Sequence, residues 1–531
     1  MSRIFRIFLS VLSGILLSLA WLGLPGWTLF IAFIPLLLLD AYFVERKHEY
    51  SEVTFWWHTL LAFLIWNTLT TWWISWATLP GAILAIIANS LLMSLVWWLG
   101  HIARRRFKST LGYVALVVFW ISFEYFHFHW DIEWPWLNLG NGFANDIKMV
   151  QWYEYTGVLG GTLWVWIMNI LLFRIFQGFS TGKRLNKELI PVVTVCLLLI
   201  VPVSLSLLLY HSYTEKKNPL HVVIVQPNID PYQEEYDIQS ENRKLQRFIQ
   251  LAEQEISEKT DLVLGPETIF ERYPDWNTER LEYNFQFQQI QEWMRQHPRM
   301  EVIFGSSTSR VYPDPGQATA TSRISNGLHY DVFNSAVFID HKGNGYVYHK
   351  SILVPGVEKM PFRNYMGFLN DVVIDLGGTT GSLGRQDEPA NFSLKNQFEV
   401  APVICYESVF GGYLAEFVRK GAQLIVVITN DGWWRDTPGY RQHLSFSRLR
   451  AVETRRSIAR SANTGISCFV NQRGDIIHAS NWWEESALAG TVQLNDEITF
   501  YVKYGDYIGR ISRLMAVLLL LFTGVKRWVK E

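Results

Sequence analysis

The sequence predicts a membrane α-helical bundle of about eight transmembrane helices joined to an extracytoplasmic α/β domain. Three observations predict it. Hydrophobic residues make up 49% of the 531 residues and charged residues only 18%. The charges are scarce in the first two hundred positions and ordinary in density over residues 215–510. Within that second region, short β-rich runs alternate with charged stretches of helical spacing, the pattern of a layered α/β domain.

The helical half comes first. Apolar stretches recur at 4–24, 27–43, 54–75, 81–99, 111–128, 158–177 and 189–210. Each approaches the roughly 20 residues that cross a bilayer as a helix. The first resembles a signal peptide in isolation, but the spans behind it make it an anchor. A shorter run, 514–525, becomes a span when extended from Ile508 to Trp528. Positive charge gathers at Arg3 and Arg6, Arg46 and Lys47, Arg104 to Lys108, Lys183 to Lys187, and Lys526 to Lys530. The turns near 25 and 77 carry none, and 129–157 carries only Lys148. Basic loops alternating with neutral ones predict a cytoplasmic N-terminus. Seven spans then put 211–507 outside, and the eighth returns the tail. The expected domains are 1–210, 211–507 and 508–531. The Trp- and Tyr-rich stretch 129–157 reads either as an interfacial aromatic belt or as a re-entrant loop at a substrate entrance. Glu124 and Glu154 are acids close to the membrane.

In the second half, 221–228, 261–267, 301–307, 334–340, 398–407 and 424–431 read as largely buried strands. Residues 239–258 and 279–297 read as amphipathic helices, and the turns at 341–345 and 471–475 as hairpins. A formal net charge of -1 gives no basic excess for nucleic acid. The three cysteines, Cys196, Cys405 and Cys468, are too few for a disulfide framework and lack metal-site spacing. Cys196 and Cys468 lie in apolar runs and read as packing residues.

Cys405 ends the apolar run VAPVIC; Glu267 ends DLVLGPE; Lys350 follows GYVYHK. Each alone is unremarkable: a loop acid, a solvated lysine, a core cysteine. Together they supply a base for a thiol proton, an oxyanion partner and a nucleophile. A helix starting after Cys405 would favour its thiolate.

The motifs LGPET, YHKSILVPGVEKMPF and PVICYES, in that order, resemble the carbon–nitrogen hydrolase, or nitrilase, superfamily. The block 429–467, beginning TNDGWW and including RSANTG, is similar too. With VVIVQPNI and the upstream WPWLNLG, the resemblance narrows to the apolipoprotein N-acyltransferase family and extends over essentially the whole chain. The resemblance implies an αββα sandwich, with Glu267 as general base, Lys350 as oxyanion stabiliser and Cys405 as nucleophile. It assigns Glu358 to an additional acid near the base, Tyr406 and Glu407 to the surroundings of the nucleophile, and Trp433 to the mouth of the site. The implied reaction moves an acyl chain from a membrane phospholipid through a Cys405 thioester to the N-terminal diacylglyceryl-cysteine of apolipoproteins. It implies a monomer in the bacterial inner membrane, facing the periplasm, with no metal or organic cofactor. A membrane-tethered amidase or nitrilase acting on a small amide or nitrile is the alternative. Two departures stand out. The family's Leu-Val-Pro-Phe-Gly-Glu is LVPGVEK here, so the loop before Glu358 is expected to differ; and NIDPYQEEY offers Tyr232 and Tyr236 where many members have Trp.

Overall fold

The computed structural model describes all residues except 108–109, 181–184, 234–237, 272–275, 363–381, 396 and 529–531, and the side chains of 185–188 and 525–528 are likewise not described. Lys108, Lys183, Arg184, Tyr236 and Lys530, used above, lie outside the described residues, as does the side chain of Lys187. The chain forms two compact units. One comprises Met1–Ser75, Leu79–Tyr213 and Tyr504–Glu531; the other comprises Trp76–Thr78 and Thr214–Lys503.

The first unit is helical. Its longer helices are Arg3–Ser18, Ile34–Glu45, Glu52–Thr71, Leu79–Arg106, Thr110–Phe126, Val158–Ser180, Leu185–Ser212 and Tyr507–Trp528. Among the described residues, five segments are long and apolar enough to cross a membrane: Gly26–Glu45, Leu79–Arg106, Val158–Ser180, Leu189–Ser212 and Tyr507–Gly524. Thr110–Phe126 is apolar but shorter. Aromatic rings fill the interior: Phe33 stacks on Trp166 at 4.4 Å between centroids and meets Trp97 and Trp120 edge-on. The Trp-rich stretch departs from an interfacial belt. Residues 135–144 are buried and wound into short 3-10 turns, Pro135–Leu137 and Leu139–Phe143. Glu124 anchors them. Its carboxylate accepts the Leu139 N–H at 2.9 Å, the Trp120 Nε1–H at 2.8 Å and the Thr162 hydroxyl at 2.5 Å.

The second unit contains two sheets. The larger runs in the order β13-β1-β2-β3-β5-β4 with β6 beside β5, and the smaller in the order β12-β11-β10-β9-β8-β7. The larger comprises β1 (Pro219–Gln226), β2 (Leu262–Leu264), β3 (Glu301–Tyr312), β4 (Arg323–Ser325), β5 (Leu328–Ile339), β6 (Gly345–His349) and β13 (Ser486–Gln493). The smaller comprises β7 (Phe392–Ser393), β8 (Glu399–Ile404), β9 (Ala422–Thr429), β10 (Ile458–Ala462), β11 (Cys468–Val470) and β12 (Ile476–Ala479).

Side-chain alternation along the strands builds the layers. Val222, Ile224, Leu262, Leu264, Ile303 and Phe338 turn toward the second sheet and join Val403, Ile425 and Val427 in one core. Val223, Val225, Val263, Val302, Phe304 and Val337 turn the other way. They meet Phe248 and Leu251 of helix Ile238–Glu253, and Phe287 and Ile290 of helix Phe285–Met294. Helices Gly411–Arg419 and Pro438–Thr454 supply Leu414, Phe417, Leu444 and Ala451 to the core of the second sheet. The order is helix, sheet, sheet, helix.

Several elements differ from expectation. β2 is only three residues long, because the chain leaves the sheet at Gly265, whose N–H still reaches Ile303 O at 2.8 Å. β3 and β5 run on to form a hairpin arm, with β4 added beyond the positive-φ pair Asn326 and Gly327. β13 pairs antiparallel with β1, bringing Gln493 opposite Pro219.

Candidate active site

The structure gathers Glu267, Lys350 and Glu358 into one buried cluster. Lys350 follows β6, and its N–H extends the ladder to Asn334 O at 2.8 Å. Its ammonium donates to Glu358 Oε1 at 2.8 Å and to Glu267 Oε1 at 3.3 Å. Asn334, on β5, ties the two acids together: its Nδ2 donates to Glu267 Oε1 at 2.8 Å and to Glu358 Oε1 at 3.0 Å. The other Glu267 oxygen accepts the Asn430 N–H at 2.9 Å, just past β9. Glu358 is fastened by the Val354 N–H at 2.8 Å. The Val-Glu departure in that loop is accommodated by a tight turn, with Gly356 at φ 80° and its N–H on Lys359 O at 2.8 Å.

Close approach positions Glu267. A methyl group on Gly305 of β3 would lie 2.6 Å from Glu267 Cα and 2.5 Å from Thr268 N. Only glycine lets the segment after β2 lie against that strand, where Gly305 N–H donates to Pro266 O at 2.9 Å.

Cys405 lies just beyond the end of β8, 9% exposed, with φ at 48°. A non-glycine residue holds that left-handed conformation only where its surroundings impose it. The expected helix after the cysteine is absent: Cys405–Val409 is a single 3-10 turn, and the helix begins at Gly411. The thiolate-favouring effect fails with it. Burial first, and then the Glu267 charge, push the thiol well above its ordinary range, and the opposing charge of Lys350 does not offset them. Cys405 therefore rests as a neutral thiol. Burial works against the charge of Lys350, but Glu358 and Glu267 outweigh it and raise its pKa, so it stays cationic. The cluster can thus accept a proton on a carboxylate, and its fixed cation lies within electrostatic reach of the sulfur.

The remaining predicted residues divide. Glu407 is fully buried. It accepts Ile404 N–H at 2.8 Å, Ser351 N–H at 2.7 Å and the Tyr348 hydroxyl at 2.7 Å, linking the turn after Cys405 to the segment after Lys350. Burial pushes its carboxyl up to about 7 against those bonds. Tyr406 is buried edge-on to Phe410 at 5.2 Å. Trp433 stands apart at the surface, 36% exposed, its ring 5.6 Å from Tyr232 and its carbonyl accepting the Tyr232 hydroxyl at 2.7 Å.

Sequence reasoning did not single out Asn334, Asn430 or Gly305. A buried asparagine within a hydrophobic strand was the available signal for Asn334. The backbone role of Asn430 leaves no signal in its side chain.

The chain matches the carbon-nitrogen hydrolase family over residues 222–500 and the apolipoprotein N-acyltransferase N-terminal domain over residues 13–171. It is similar to the apolipoprotein N-acyltransferase of Chlorobaculum tepidum, with 30% identity covering 98% of this chain and 97% of that one. It is also similar to the enzyme of that name from Geobacter metallireducens, with 27% identity over 94% and 91%. The Saccharomyces cerevisiae protein Nit3, of the nitrilase superfamily, aligns with 53% of this chain and 93% of its own at 15% identity and a TM-score of 0.39.

Proposed function

Because the chain belongs to the apolipoprotein N-acyltransferase family, we propose that it N-acylates the terminal cysteine of lipoproteins through an acyl-thioester on Cys405. The observation that carries this reading is the buried Glu267–Lys350–Glu358 cluster acting on the thiol of Cys405. Glu267 takes the thiol proton as sulfur attacks the ester carbonyl of a membrane phospholipid. Lys350 faces the negative charge that develops on the carbonyl oxygen. Collapse of the tetrahedral intermediate expels the lysophospholipid alcohol, which leaves with that proton, and the acyl chain stays on sulfur. In the second half the α-amine of a diacylglyceryl-cysteine attacks the thioester and Glu267 takes the amine proton. The amide forms, and the proton returns to the departing thiolate. Glu358 holds Lys350 in place, and Glu407 braces the turn that carries the nucleophile. Tyr406 packs beneath it, and Trp433 offers an exposed apolar ring for lipid.

The surrounding reading is a bacterial inner-membrane enzyme with eight spans, both termini cytoplasmic and residues 211–507 in the periplasm, working as a monomer. Reporter fusions after residue 300 and after residue 531 should score opposite sides. A hydrolase is not favoured, since the relatives similar over the full length carry the transferase name.

Mass spectrometry tests the chemistry. Purified protein mixed with phospholipid alone should carry one acyl mass on Cys405. A diacylglyceryl-cysteinyl peptide with a free α-amine should remove it, and the N-acetylated peptide should not. Release of free fatty acid at the same rate with or without the peptide would replace the transferase by a hydrolase.

A further inference from the structure

A second polar chain, separate from the Glu267 cluster, ends on the backbone of Cys405. The Ser408 hydroxyl lies 2.7 Å from Cys405 O and 2.9 Å from His443 Nε2. His443 Nε2 is itself 3.1 Å from Cys405 O. On its other side, His443 Nδ1 meets Asp431 Oδ1 at 2.9 Å. Asp431 accepts the Thr429 hydroxyl at 2.8 Å and Arg460 NH2 at 2.6 Å. Ser408, Asp431, His443 and Arg460 are all fully buried.

This chain can touch neither substrate. Burial raises the Asp431 carboxyl, but Arg460 and then His443 outweigh it and hold it down to about 2. Burial first, and then Arg460, lower His443. A neutral ring has one N–H to give; carried on Nδ1 it is donated to Asp431, so Nε2 accepts from the Ser408 hydroxyl that also reaches the Cys405 carbonyl. Burying an ion pair and a histidine brings a desolvation cost that an apolar core would not have. The strained φ of Cys405 persists only where neighbouring groups over-determine it, and the chain closes on the carbonyl of that residue.

We propose that Ser408, His443 and Asp431 are positioning residues for acyl transfer: Asp431 orients His443, His443 Nε2 holds the Ser408 hydroxyl, and Ser408 holds the Cys405 carbonyl and the left-handed backbone that presents its sulfur. The proposal rests on the reading of Cys405 as the acyl carrier. A misplacement of about 1 Å at a reacting atom costs roughly 10²-fold in rate, so a group that never meets substrate acquires kinetic weight.

The test compares full-length Ser408→Ala, His443→Asn and His443→Gln with the parent in detergent, following single-turnover acylation of Cys405 by phospholipid. Asn retains the Asp431 contact but withdraws from Ser408, whereas Gln reaches it. Among proteins with parental melting temperatures, Ser408→Ala and His443→Asn should slow the saturated rate by roughly 10²-fold, with the half-saturating phospholipid concentration unchanged. His443→Gln should recover most of the rate. Parental rates in Ser408→Ala or His443→Asn would overturn the proposal. So would His443→Gln no faster than His443→Asn, or a loss expressed in half-saturation instead of rate. If His443→Asn does not fold, Ser408→Ala decides alone. Failure of the parent protein to acylate would instead sink the underlying function.

Discussion

Each unit of the chain buries a cluster of acid and base, and the two clusters are built differently. In the helical unit Asp40, from Ile34–Glu45, is paired with both His101 and Arg104, from Leu79–Arg106, and the Arg104 guanidinium lies 4.0 Å over the Tyr113 ring. In the α/β unit two carboxylates share one lysine, on segments that have just left a sheet. The first cluster gives one anion two basic partners and ties helix to helix. The second pairs one cation with two anions, and a thiol lies within their field. Buried charge alone therefore does not make a reactive site. What distinguishes the second is a thiol whose proton state burial and those charges set together.

The largest expected effects test that distinction directly. Cys405→Ala should carry no acyl group in the mass-spectrometric assay, while Cys196→Ala and Cys468→Ala remain active. Glu267→Gln should lose roughly 10²–10⁴-fold in acylation rate while still folding. Lys350→Met should lose roughly 10²–10³-fold as its developing-charge partner disappears. Asp40→Asn leaves two basic groups without their anion, and breaking a buried pair typically costs about 3–5 kcal/mol. Its melting temperature should fall, yet acylation per folded molecule should match the parent. A proportionate loss of rate in folded Asp40→Asn would break the contrast between the clusters.

Gly305→Ala sharpens the comparison from the backbone side. The added methyl must push the Glu267 segment off β3, and a shift of that kind costs roughly 10²-fold in acylation rate. The smallest effect concerns pH. Because the Cys405 thiol is raised, iodoacetamide alkylation should climb steadily above pH 8 without levelling at neutrality. Glu267→Gln removes a charge that raises the thiol, so alkylation at fixed pH should increase even as acylation falls. Lys350→Met should lower alkylation. A Glu267→Gln protein slowed in both reactions would mean that the carboxylate is not a controlling charge.

Much of this arrangement could be read from the sequence. The apolar runs before Cys405 and at β1, β3 and β9 announce buried strands, since strands covered on both faces lack alternating polar residues. The motifs around Glu267, Lys350 and Cys405 stand just past the ends of β2, β6 and β8. Other features were hidden. Helix Pro438–Thr454 carries Arg441, His443, Arg448, Arg450 and Glu453, a composition suited to solvent, yet most of it is buried. Arg441 is exposed, and the buried charges are met internally, Arg450 by Glu453 and by Val409 O at 2.6 Å. No amphipathic stripe exists to reveal such a helix. Nor does local pattern reveal that β13 returns to β1, because that pairing depends on distant partners. Cys405 was misjudged in one respect: an apolar run followed by polar residues suggested a helix start favouring thiolate, whereas burial first, and then the neighbouring Glu267, favour the thiol.

The return of β13 has a consequence for how the α/β unit comes into being. β1 is among its first parts to be synthesised and Ser486–Gln493 among its last, yet eight successive residue pairs join them, from Pro219↔Gln493 to Gln226↔Ser486. Until that segment emerges, β1 has an uncovered edge, the kind of surface that templates wrong pairings between chains. Contacts of such sequence separation form slowly. The nascent unit therefore passes through a period, lasting almost its whole synthesis, in which its sheet is open and adhesive. Its vulnerability to aggregation belongs to that interval, and a truncation before Ser486 would prolong it indefinitely.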